Sequence, residues 1–356
     1  MRQGFIEEFF GDVSGAGKNL MIANALRKVM EGHDLSGEEM GEVMARIMDG
    51  GADPIELGAF LTALRIKGES VAEIAGAAQV MRQRAVTLAV SADPILDTCG
   101  TGGDAAGTFN ISTAAAFVVA GAGITVAKHG NRAVSSRSGS ADVLKCLGVN
   151  IDAETYTVER CLERVGIGFL FAPRMHPAMK NAAEVRKSLG FRTIFNLLGP
   201  LTNPAGAHAQ VIGVYDSRWT FPLAQVLKSL GSRHAFIVHG DDGLDEISLA
   251  APTRVSELRK GEISNYKIEP EQFGLRRCSP DELTGGSPED NAAIIRSILS
   301  GHRSPQRDVV VLNAAAAITA AGRTDTLQSA LAVAENSIDC GAAQKKLTDL
   351  CHVSNA

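Results

Sequence analysis

The amino-acid sequence predicts an α/β protein with a small N-terminal helical domain and a larger α/β domain with a mainly parallel central sheet, joined by a hinge. Three observations support this prediction. The 356 residues are too many for one ordinary core. Helical periodicity alone fills residues 20–90. After Asp93-Pro94, short apolar runs alternate with helical stretches, which favours parallel strands.

The N-terminal block has the spacing and the start signals of consecutive helices. Apolar side chains recur at three- and four-residue steps between Ile22 and Val29. Ser36 precedes Glu39 in a capping-box pattern, and Gly50-Gly51 ends the helix that this pattern starts. Residues 19–92 are therefore predicted to form the helical domain. Residues 1–18 are Gly-rich and aperiodic, and we expect them to be a poorly ordered extension.

Residues 93–175 and 201–356 are predicted to form the α/β domain. Residues 252–290 are polar and irregular and carry little functional information. The predicted strands are Ile95–Thr98, Ile124–Lys128, Gly168–Ala172, Gln210–Tyr215, Ala235–His239 and Asp308–Leu312.

Composition and charge exclude several classes of protein. The net charge is −5 and no basic run is visible, which argues against nucleic-acid binding. The six cysteines have no metal-site spacing, so we expect free thiols in a reducing compartment. The N-terminus lacks a signal-peptide pattern, and the longest apolar run, residues 111–126, falls short of the ~20 residues of a membrane span. We therefore expect a cytoplasmic protein with no membrane contact.

A Gly-rich loop follows the first predicted strand. It runs from Asp97 through Gly100, Gly103 and Asp104 to Thr108, and Asn110-Ile111-Ser112-Thr113 opens the next helix. Glycines permit close backbone approach, and a helix N-terminus attracts anions, so the pattern indicates a phosphate or diphosphate cradle. A tight turn capped by Asn and Ser is the alternative. A dinucleotide fingerprint lacks its acidic residue about 20 positions on, and the P-loop ending is absent.

A basic loop follows the second predicted strand. Lys128-His129-Gly130-Asn131-Arg132 precedes Ala133, Val134, Ser135 and Ser136, and Ser140 follows shortly after. This density of donors suits several phosphate oxygens, although a solvated loop is the alternative. Two anion-suited loops at strand ends suggest one ligand with two phosphate groups.

An acidic turn follows the strand at Ala235–His239. Asp241, Asp242, Asp245 and Glu246 would repel one another unless they were exposed or bound to a cation. The sequence therefore leaves two alternatives for this turn, a Mg²⁺ site that bridges to a diphosphate and an exposed acidic turn.

Two arginines lie in the region between the third and fourth predicted strands. Arg186 and Arg192 each suit a carboxylate, and a structural ion pair is favoured for Arg192. The apolar stretch after Arg192, which has Gly and Pro residues, is predicted to be the hinge.

Together, five motifs resemble the anthranilate phosphoribosyltransferases in content and in order. They are Asp97–Asp104, Asn110–Ala114, Lys128–Arg132, Val185–Pro204 and Gly243–Glu246, and the resemblance covers roughly residues 20–340. It implies transfer of a phosphoribosyl group from phosphoribosyl pyrophosphate to anthranilate, with two Mg²⁺ ions per active site. It also implies that residues 176–200 return to the helical domain, and that a homodimer forms through the helical domains.

The resemblance also implies roles for particular residues. Gly100, Asn131 and Arg186 match anthranilate contacts, and Ser112, Asp245 and Glu246 match Mg²⁺ ligands. The residues that match the phosphoribosyl pyrophosphate site are Gly100, Gly103, Asp104, Thr108, Asn110, Ile111, Ser112, Thr113, Lys128, His129, Gly130, Asn131, Arg132, Ala133, Val134, Ser135, Ser136 and Ser140.

The chemistry implied by the resemblance needs no general base, because the aniline-type amine is largely neutral near pH 7. Lys128 and Arg186 would act by electrostatics and positioning, without a covalent intermediate. Two rivals fit less well. A nucleoside phosphorylase does not account for the Lys128–Arg132 run or for the Asp245-Glu246 pair, and the acidic net charge argues against an inactive nucleic-acid-binding paralogue.

Overall fold

The computed structural model describes residues 20–133 and 137–356. The chain divides into two compact units. Within the described residues, the first unit comprises 20–80 and 178–194, and the second comprises 81–177 and 195–356 apart from the gap. The predicted extension, residues 1–18, lies outside the described residues.

The first unit is built from helices. They are α1 (Leu20–Met30), α2 (Gly37–Met48), α3 (Pro54–Lys67), α4 (Val71–Gln83), which runs on past the end of this unit, and α9 (Lys180–Leu189). Ser36 and Glu39 close the predicted capping box, and Asp53 caps α3 with Pro54 at its first position. The Asn181 amide donates to the Met48 carbonyl at 2.7 Å, which ties α9 to the end of α2.

The second unit contains a seven-stranded sheet in the order β3-β2-β1-β4-β5-β6-β7. The strands are β1 (Ile95–Asp97), β2 (Thr125–Gly130), β3 (Ile167–Phe171), β4 (Ala209–Gly213), β5 (His234–Gly240), β6 (Thr253–Arg259) and β7 (Glu262–Ile268). The first five pair in parallel, and β6 and β7 continue the sheet antiparallel. Strand order reverses at β1 and β4, which is where open α/β sheets bind ligands.

Ten α-helices belong to the second unit among the described residues. They are α5 (Ile111–Gly121), α6 (Ser140–Leu147), α7 (Thr155–Arg164), α8 (Ala172–Met175), α10 (Phe195–Leu198), α11 (Thr220–Ser229), α12 (Pro288–Leu299), α13 (Pro305–Ala320), α14 (Leu327–Asp339) and α15 (Ala342–Ser354).

Both faces of the sheet are covered. Leu96 and Val126 belong to one buried apolar cluster, whereas their neighbours Ile95 and Ala127 belong to another. Successive side chains of a strand point to opposite faces, so the two clusters lie on opposite sides of the sheet. The larger cluster includes most of α5 and α13.

The predicted fold class is confirmed, with a helical N-terminal domain and a larger α/β domain around a mainly parallel sheet. One predicted strand is wrong, because Asp308–Leu312 lies inside α13. A short apolar run such as Val309–Leu312, which is buried, does not distinguish strand from helix. The informative local signals are Ser304, which caps α13, and Pro305 at its first position. Strands β6 and β7 lie within residues 252–290, the stretch predicted to be irregular. The outer strand, β7, is mostly exposed and polar, so it gives little periodic signal.

No helix among the described residues is both long enough and apolar enough to cross a membrane.

The buried carboxylate of Glu73 bonds to three residues of the helical unit, and its removal tests how much these bonds stabilise the fold. The fully buried Glu73 accepts hydrogen bonds from the Leu35 and Ser70 amides at 2.9 and 2.7 Å and pairs with the Lys67 ammonium at 3.0 Å. We expect Glu73→Ala to lower the free energy of unfolding by about 2–3 kcal/mol, because the buried Leu35 bond and the partly buried Ser70 bond lose their acceptor. Urea denaturation of this variant beside Lys28→Ala, which removes the half-exposed Lys28–Glu39 pair, measures the effect. Equal losses in both variants would contradict it.

Candidate active site

The candidate site lies at the carboxyl ends of β1, β2, β4 and β5. Gly100, just after β1, lies against Gly213 at the end of β4, and a Cβ on Gly100 would stand 2.8 Å from the Gly213 carbonyl oxygen. A Cβ on Gly213 would overlap the carbonyl oxygen of Asp245. Backbone segments that follow three strands are thus in direct contact, which only residues without side chains allow.

Three glycines of the Gly-rich loop adopt left-handed backbone conformations before the start of α5. Gly102, Gly103 and Gly107 have positive φ angles of 64°, 82° and 69°. Asn110 occupies the N-cap position of α5, but its side chain makes no capping bond. This finding argues against the alternative of a turn capped by Asn.

The first amides of α5 are already partnered within the protein. The Ile111 and Thr113 amides donate to the carbonyls of Phe109 and Asn110 at 2.8 and 3.1 Å. The Ser112 amide donates to a Glu246 carboxylate oxygen at 3.1 Å. A phosphate at this helix start would therefore share or take over the Ser112 amide. The Ile111 and Thr113 side chains are buried, so any contact they make with a ligand is through the backbone.

Lys128 joins three elements at the centre of the site. Its buried ammonium group donates to Thr98 Oγ1 at 3.2 Å and to Ser112 Oγ at 3.4 Å. The Thr98 hydroxyl in turn donates to the Ser112 carbonyl at 3.1 Å. These bonds place one positive charge between the end of β1 and the start of α5.

Three carboxylates cluster near the start of α5, and Lys128 attracts one of them, Glu246. The Asp245 amide donates to Asp104 Oδ2 at 3.4 Å, and Glu246 follows directly. Burial raises the pKa of Glu246 to about 7, with Lys128 opposing the shift and Asp104 adding to it. Burial raises the pKa of Asp245 well above its usual range, and repulsion from Asp104 and Glu246 adds to it. These shifts argue against the exposed alternative for Asp245 and Glu246, whereas Asp241 and Asp242 of the same turn are exposed.

The donor set fits Mg²⁺. Oxygen ligands from carboxylates and a hydroxyl are those that Mg²⁺ prefers, and the mutual repulsion of Asp104, Asp245 and Glu246 is what a cation relieves. A second group, Asp97, Cys99 and His129, brings an oxygen, a sulfur and a nitrogen atom within 4.8 Å of one another. Burial raises the pKa of the Cys99 thiol well above its usual range, and a sulfur ligand does not suit Mg²⁺.

A buried polar cluster supports the start of the basic loop. Asp97 accepts the His129 amide at 3.1 Å and the Asn203 side-chain amide at 2.8 Å. His129 Nδ1 lies 3.1 Å from the Gly199 carbonyl oxygen, and its ring centroid lies 5.1 Å from that of His176. Burial lowers the pKa of His129 to about 3 and that of His176 to about 4. Both imidazoles are therefore neutral and only weakly basic near pH 7.

The basic loop closes onto the start of α6. Asp142 accepts the Ala133 amide at 3.0 Å and lies 3.4 Å from the Arg132 guanidinium, and the Ser140 hydroxyl donates to the Asn131 carbonyl at 3.3 Å. The side chains of Asn131 and Arg132 are exposed, and a Cβ on Gly130 would collide with Ser140. The predicted contacts Val134, Ser135 and Ser136 lie outside the described residues.

The structure thus brings seven of the predicted residues together at one edge of the sheet. Gly100, Gly103, Asp104, Ser112, Lys128, Asp245 and Glu246 belong to this cluster. Arg186 lies on α9 in the first unit.

Sequence reasoning missed three residues that support the site. Gly213, Asp97 and Asn203 position backbone rather than face a ligand, and their signals were weak. Gly213 ends a strand, Asp97 opens the Gly-rich loop, and Asn203 precedes a proline.

The fold and the site define a two-domain glycosyl transferase. A family model described as the glycosyl transferase family, a/b domain, matches residues 92–344. A second, described as the glycosyl transferase family, helical bundle domain, matches residues 23–85.

Sequence relatives identify the family more specifically. The anthranilate phosphoribosyltransferase of Anaeromyxobacter dehalogenans is 59% identical over 330 residues, covering 93% of this chain and 98% of the relative. That of Moorella thermoacetica is 57% identical over 327 residues, covering 92% and 96%. The chain belongs to the anthranilate phosphoribosyltransferase family.

Two solved structures agree in fold. The Thermus thermophilus anthranilate phosphoribosyltransferase has a TM-score of 0.89 at 45% identity, with 93% of this chain and 99% of that chain covered. The Saccharomyces cerevisiae enzyme in complex with PRPP and Mg has a TM-score of 0.86 at 29% identity, with 96% and 99% covered.

The buried histidine pair predicts a loss of stability in acid. The pKa of His176 falls from 6.5 to about 4 on folding, so between these values the unfolded chain binds a proton that the folded chain does not. Stability is therefore fully present above about pH 6.5 and is lost as the pH falls toward about 4. As the pH falls from 6.5 to about 4, we expect the Tm of His176→Asn to decrease less than that of the unsubstituted chain, as measured by scanning calorimetry. The exposed His302→Asn should keep the original slope, and parallel curves for all three proteins would contradict the expectation.

Proposed function

We propose that this chain transfers the 5-phosphoribosyl group from phosphoribosyl pyrophosphate to the amine of anthranilate, in tryptophan biosynthesis. The products are N-(5-phosphoribosyl)anthranilate and pyrophosphate. The observation that carries the proposal is the meeting of Lys128, the start of α5 and the carboxylates of Asp245 and Glu246 at one edge of the sheet. Family membership and the names of the relatives add to it.

The diphosphate group is proposed to bind between the Gly-rich and basic loops. Gly100 and Gly103 allow close approach, Lys128 supplies charge, and Thr108 and Asn110 flank the helix start. The remaining members of the proposed site are Asp104, Ile111, Ser112, Thr113, His129, Gly130, Asn131, Arg132, Ala133, Val134, Ser135, Ser136 and Ser140.

Mg²⁺ is proposed as the cofactor, with two ions per active site held by Ser112, Asp245 and Glu246. The relative from Saccharomyces cerevisiae was solved with PRPP and Mg, which supports this cofactor here. The raised pKa of Glu246, about 7, is a further argument, because a nearby cation would favour its charged form.

Anthranilate is proposed to contact Gly100, Asn131 and Arg186. The guanidinium of Arg186 suits a bidentate pair with the anthranilate carboxylate. The exposed Asn131 amide suits the same substrate, and its backbone is fixed by Ser140. These three residues would hold the amine in line with the ribose carbon.

Catalysis in this proposal is electrostatic. The bond from the ribose carbon to the pyrophosphate oxygen breaks, a bond to the anthranilate nitrogen forms, and the amine proton passes to solvent. Mg²⁺, when bound, would neutralise the negative charge that develops on the departing pyrophosphate. Lys128 stabilises the same developing charge, and no residue acts as general base. The buried His129 is unsuited to act as a general base, because its pKa of about 3 leaves it only weakly basic near neutral pH.

The helical unit is proposed to form the contact of a homodimer, and the protein to work in the cytoplasm. Met30, Ile55 and Ile66 of this unit are 72%, 84% and 81% exposed, which suits an apolar contact surface. A hinge between the helical domain, 19–92 with 176–200, and the rest of the chain stays a prediction.

Anthranilate fluorescence tests the function directly. The purified chain, phosphoribosyl pyrophosphate and Mg²⁺ are mixed with anthranilate, and fluorescence is followed over time. Loss of fluorescence that requires all four components supports the proposal. No loss with folded protein and fresh substrate would overturn it.

The role of Arg186 predicts a split between the two substrates. We expect Arg186→Ala to lower kcat/KM for anthranilate by roughly 10- to 100-fold, the worth of a charge-assisted bond, and to affect phosphoribosyl pyrophosphate less. Lys187→Ala, an exposed neighbour on the same helix, is the matched control. Equal losses for the two substrates would reject the assignment.

The acidic pair predicts a changed metal requirement. The double variant Asp245→Ala, Glu246→Ala should need at least about tenfold more Mg²⁺ for half-maximal activity, because the carboxylate ligands are gone. Asp241→Asn serves as control, since Asp241 lies in the same turn but pairs with Arg254 and Lys267. An unchanged Mg²⁺ titration in the double variant would count against metal ligation.

A further inference from the structure

The segment before α12 is bound to the Gly-rich loop along its backbone. The Phe109 amide donates to the Leu283 carbonyl at 3.2 Å, and the Gly285 amide donates to the Gly107 carbonyl at 2.9 Å. Thr108 and Thr284 form an isolated antiparallel bridge between these bonds. A Cβ on Gly285 would stand 2.6 Å from the Phe109 nitrogen. The last residues of the loop therefore pair closely with residues 283–285.

A chain of hydrogen bonds through two side-chain amides, one buried and one partly buried, continues from this segment into the site. Asn291 on α12 is 2% exposed, and its Oδ1 accepts the Gly286 amide at 2.8 Å. Its Nδ2 donates to Asn110 Oδ1 at 3.0 Å. Asn110 Nδ2 then donates to the Ser138 carbonyl at 3.2 Å, and the Ser138 hydroxyl donates back to Asn110 Oδ1 at 3.3 Å.

Backbone groups at the two ends fix the direction of this chain. The Gly286 N–H only donates, so the Asn291 atom that faces it must be oxygen, and the Asn291 NH₂ group must face Asn110. The Ser138 carbonyl only accepts, so the Asn110 NH₂ group must face it. Neither side chain can flip without placing like groups together.

This chain links the two loops proposed to hold the diphosphate. Asn110 begins α5 next to Ser112, whereas Ser138 ends the basic loop just before α6. Helix α12, which carries Asn291, packs against both α5 and α6. The Asn110 side chain makes no capping bond to α5, and both its oxygen and its nitrogen bond within this chain.

We propose that Asn291 is a positioning residue for phosphoribosyl pyrophosphate, which it holds in place through Asn110 by locking the Gly-rich loop to the basic loop. The proposal rests on the proposed function, since the two loops are taken to bind the diphosphate. Asn291 touches no substrate. It sets the spacing between the loops, and errors of about 1 Å in such spacing reduce binding and rate strongly.

The test is the isosteric variant Asn291→Asp. Its carboxylate still accepts the Gly286 amide but cannot donate to Asn110 Oδ1, so the directed chain is broken at one bond. Ser138→Ala is a second, milder variant that removes only the hydroxyl bond to Asn110. Ser337→Ala is the matched control, because it removes a buried hydrogen bond of 2.7 Å to the Val118 carbonyl on the same helix α5.

Binding of phosphoribosyl pyrophosphate with Mg²⁺ is measured by calorimetry, together with KM for each substrate, kcat and Tm. We expect Asn291→Asp to raise Kd and KM for phosphoribosyl pyrophosphate about tenfold, and Ser138→Ala roughly threefold, with KM for anthranilate within about twofold. The Ser337→Ala control should lose Tm with unchanged substrate constants.

Each outcome bears on the proposal. Unchanged Kd and KM for phosphoribosyl pyrophosphate in Asn291→Asp would overturn the positioning role and leave the proposed function intact. Equal rises in KM for both substrates, or the same pattern in Ser337→Ala, would show a merely structural role. A chain with no substitution that fails to bind phosphoribosyl pyrophosphate would overturn the proposed function as well. If Asn291→Asp does not fold, Ser138→Ala decides the matter by the same criteria.

Discussion

The hydrogen bond between the Ser112 amide and the Glu246 carboxylate is the contact on which the site depends. It joins the helix that follows β1 to the loop that follows β5, on opposite sides of β4 in the sheet. The intervening strand β4 ends in Gly213, which lies against the Asp245 carbonyl. A side chain at this position would overlap that carbonyl, so a glycine is needed there. The parallel order of β1, β4 and β5 brings these strand ends to one edge, where α/β sheets bind ligands.

Charge balance at this edge explains why buried carboxylates are tolerated there. Burial and repulsion from Asp104 raise the pKa values of Asp245 and Glu246, whereas Lys128 and the hydrogen bonds from Ser112 oppose the shift of Glu246. Burying like charges destabilises a fold unless a cation or a proton compensates. An arrangement of this kind is suited to a ligand that arrives with its own metal ion, as a diphosphate with Mg²⁺ does.

Much of the fold and site could be predicted from local patterns, and the failures have physical causes. The Ser36–Glu39 capping box and the strands from β1 to β5 follow signals a few residues long, so they were found. Asp308–Leu312 was misassigned because a buried apolar run lacks the polar face that distinguishes helix from strand. The polar stretch 252–290 was passed over, yet it holds β6, β7 and the residues that pair with the Gly-rich loop. Its role arises from contacts far apart in sequence, which leave no periodic signal.

By itself the sequence determined the chemistry: glycines for close approach, Lys128 for charge, and Asp245 with Glu246 for a cation, each placed at or shortly after the end of a strand. These are properties of residue type and local order, which a chain carries before it folds. Only the tertiary structure decided which groups meet, as with Asn291 and Asn110, separated by 181 positions, or Asn203 and Asp97, separated by 106. Hydrogen bonds of this kind depend on distance and direction in the folded chain, and spacing along the sequence does not encode either.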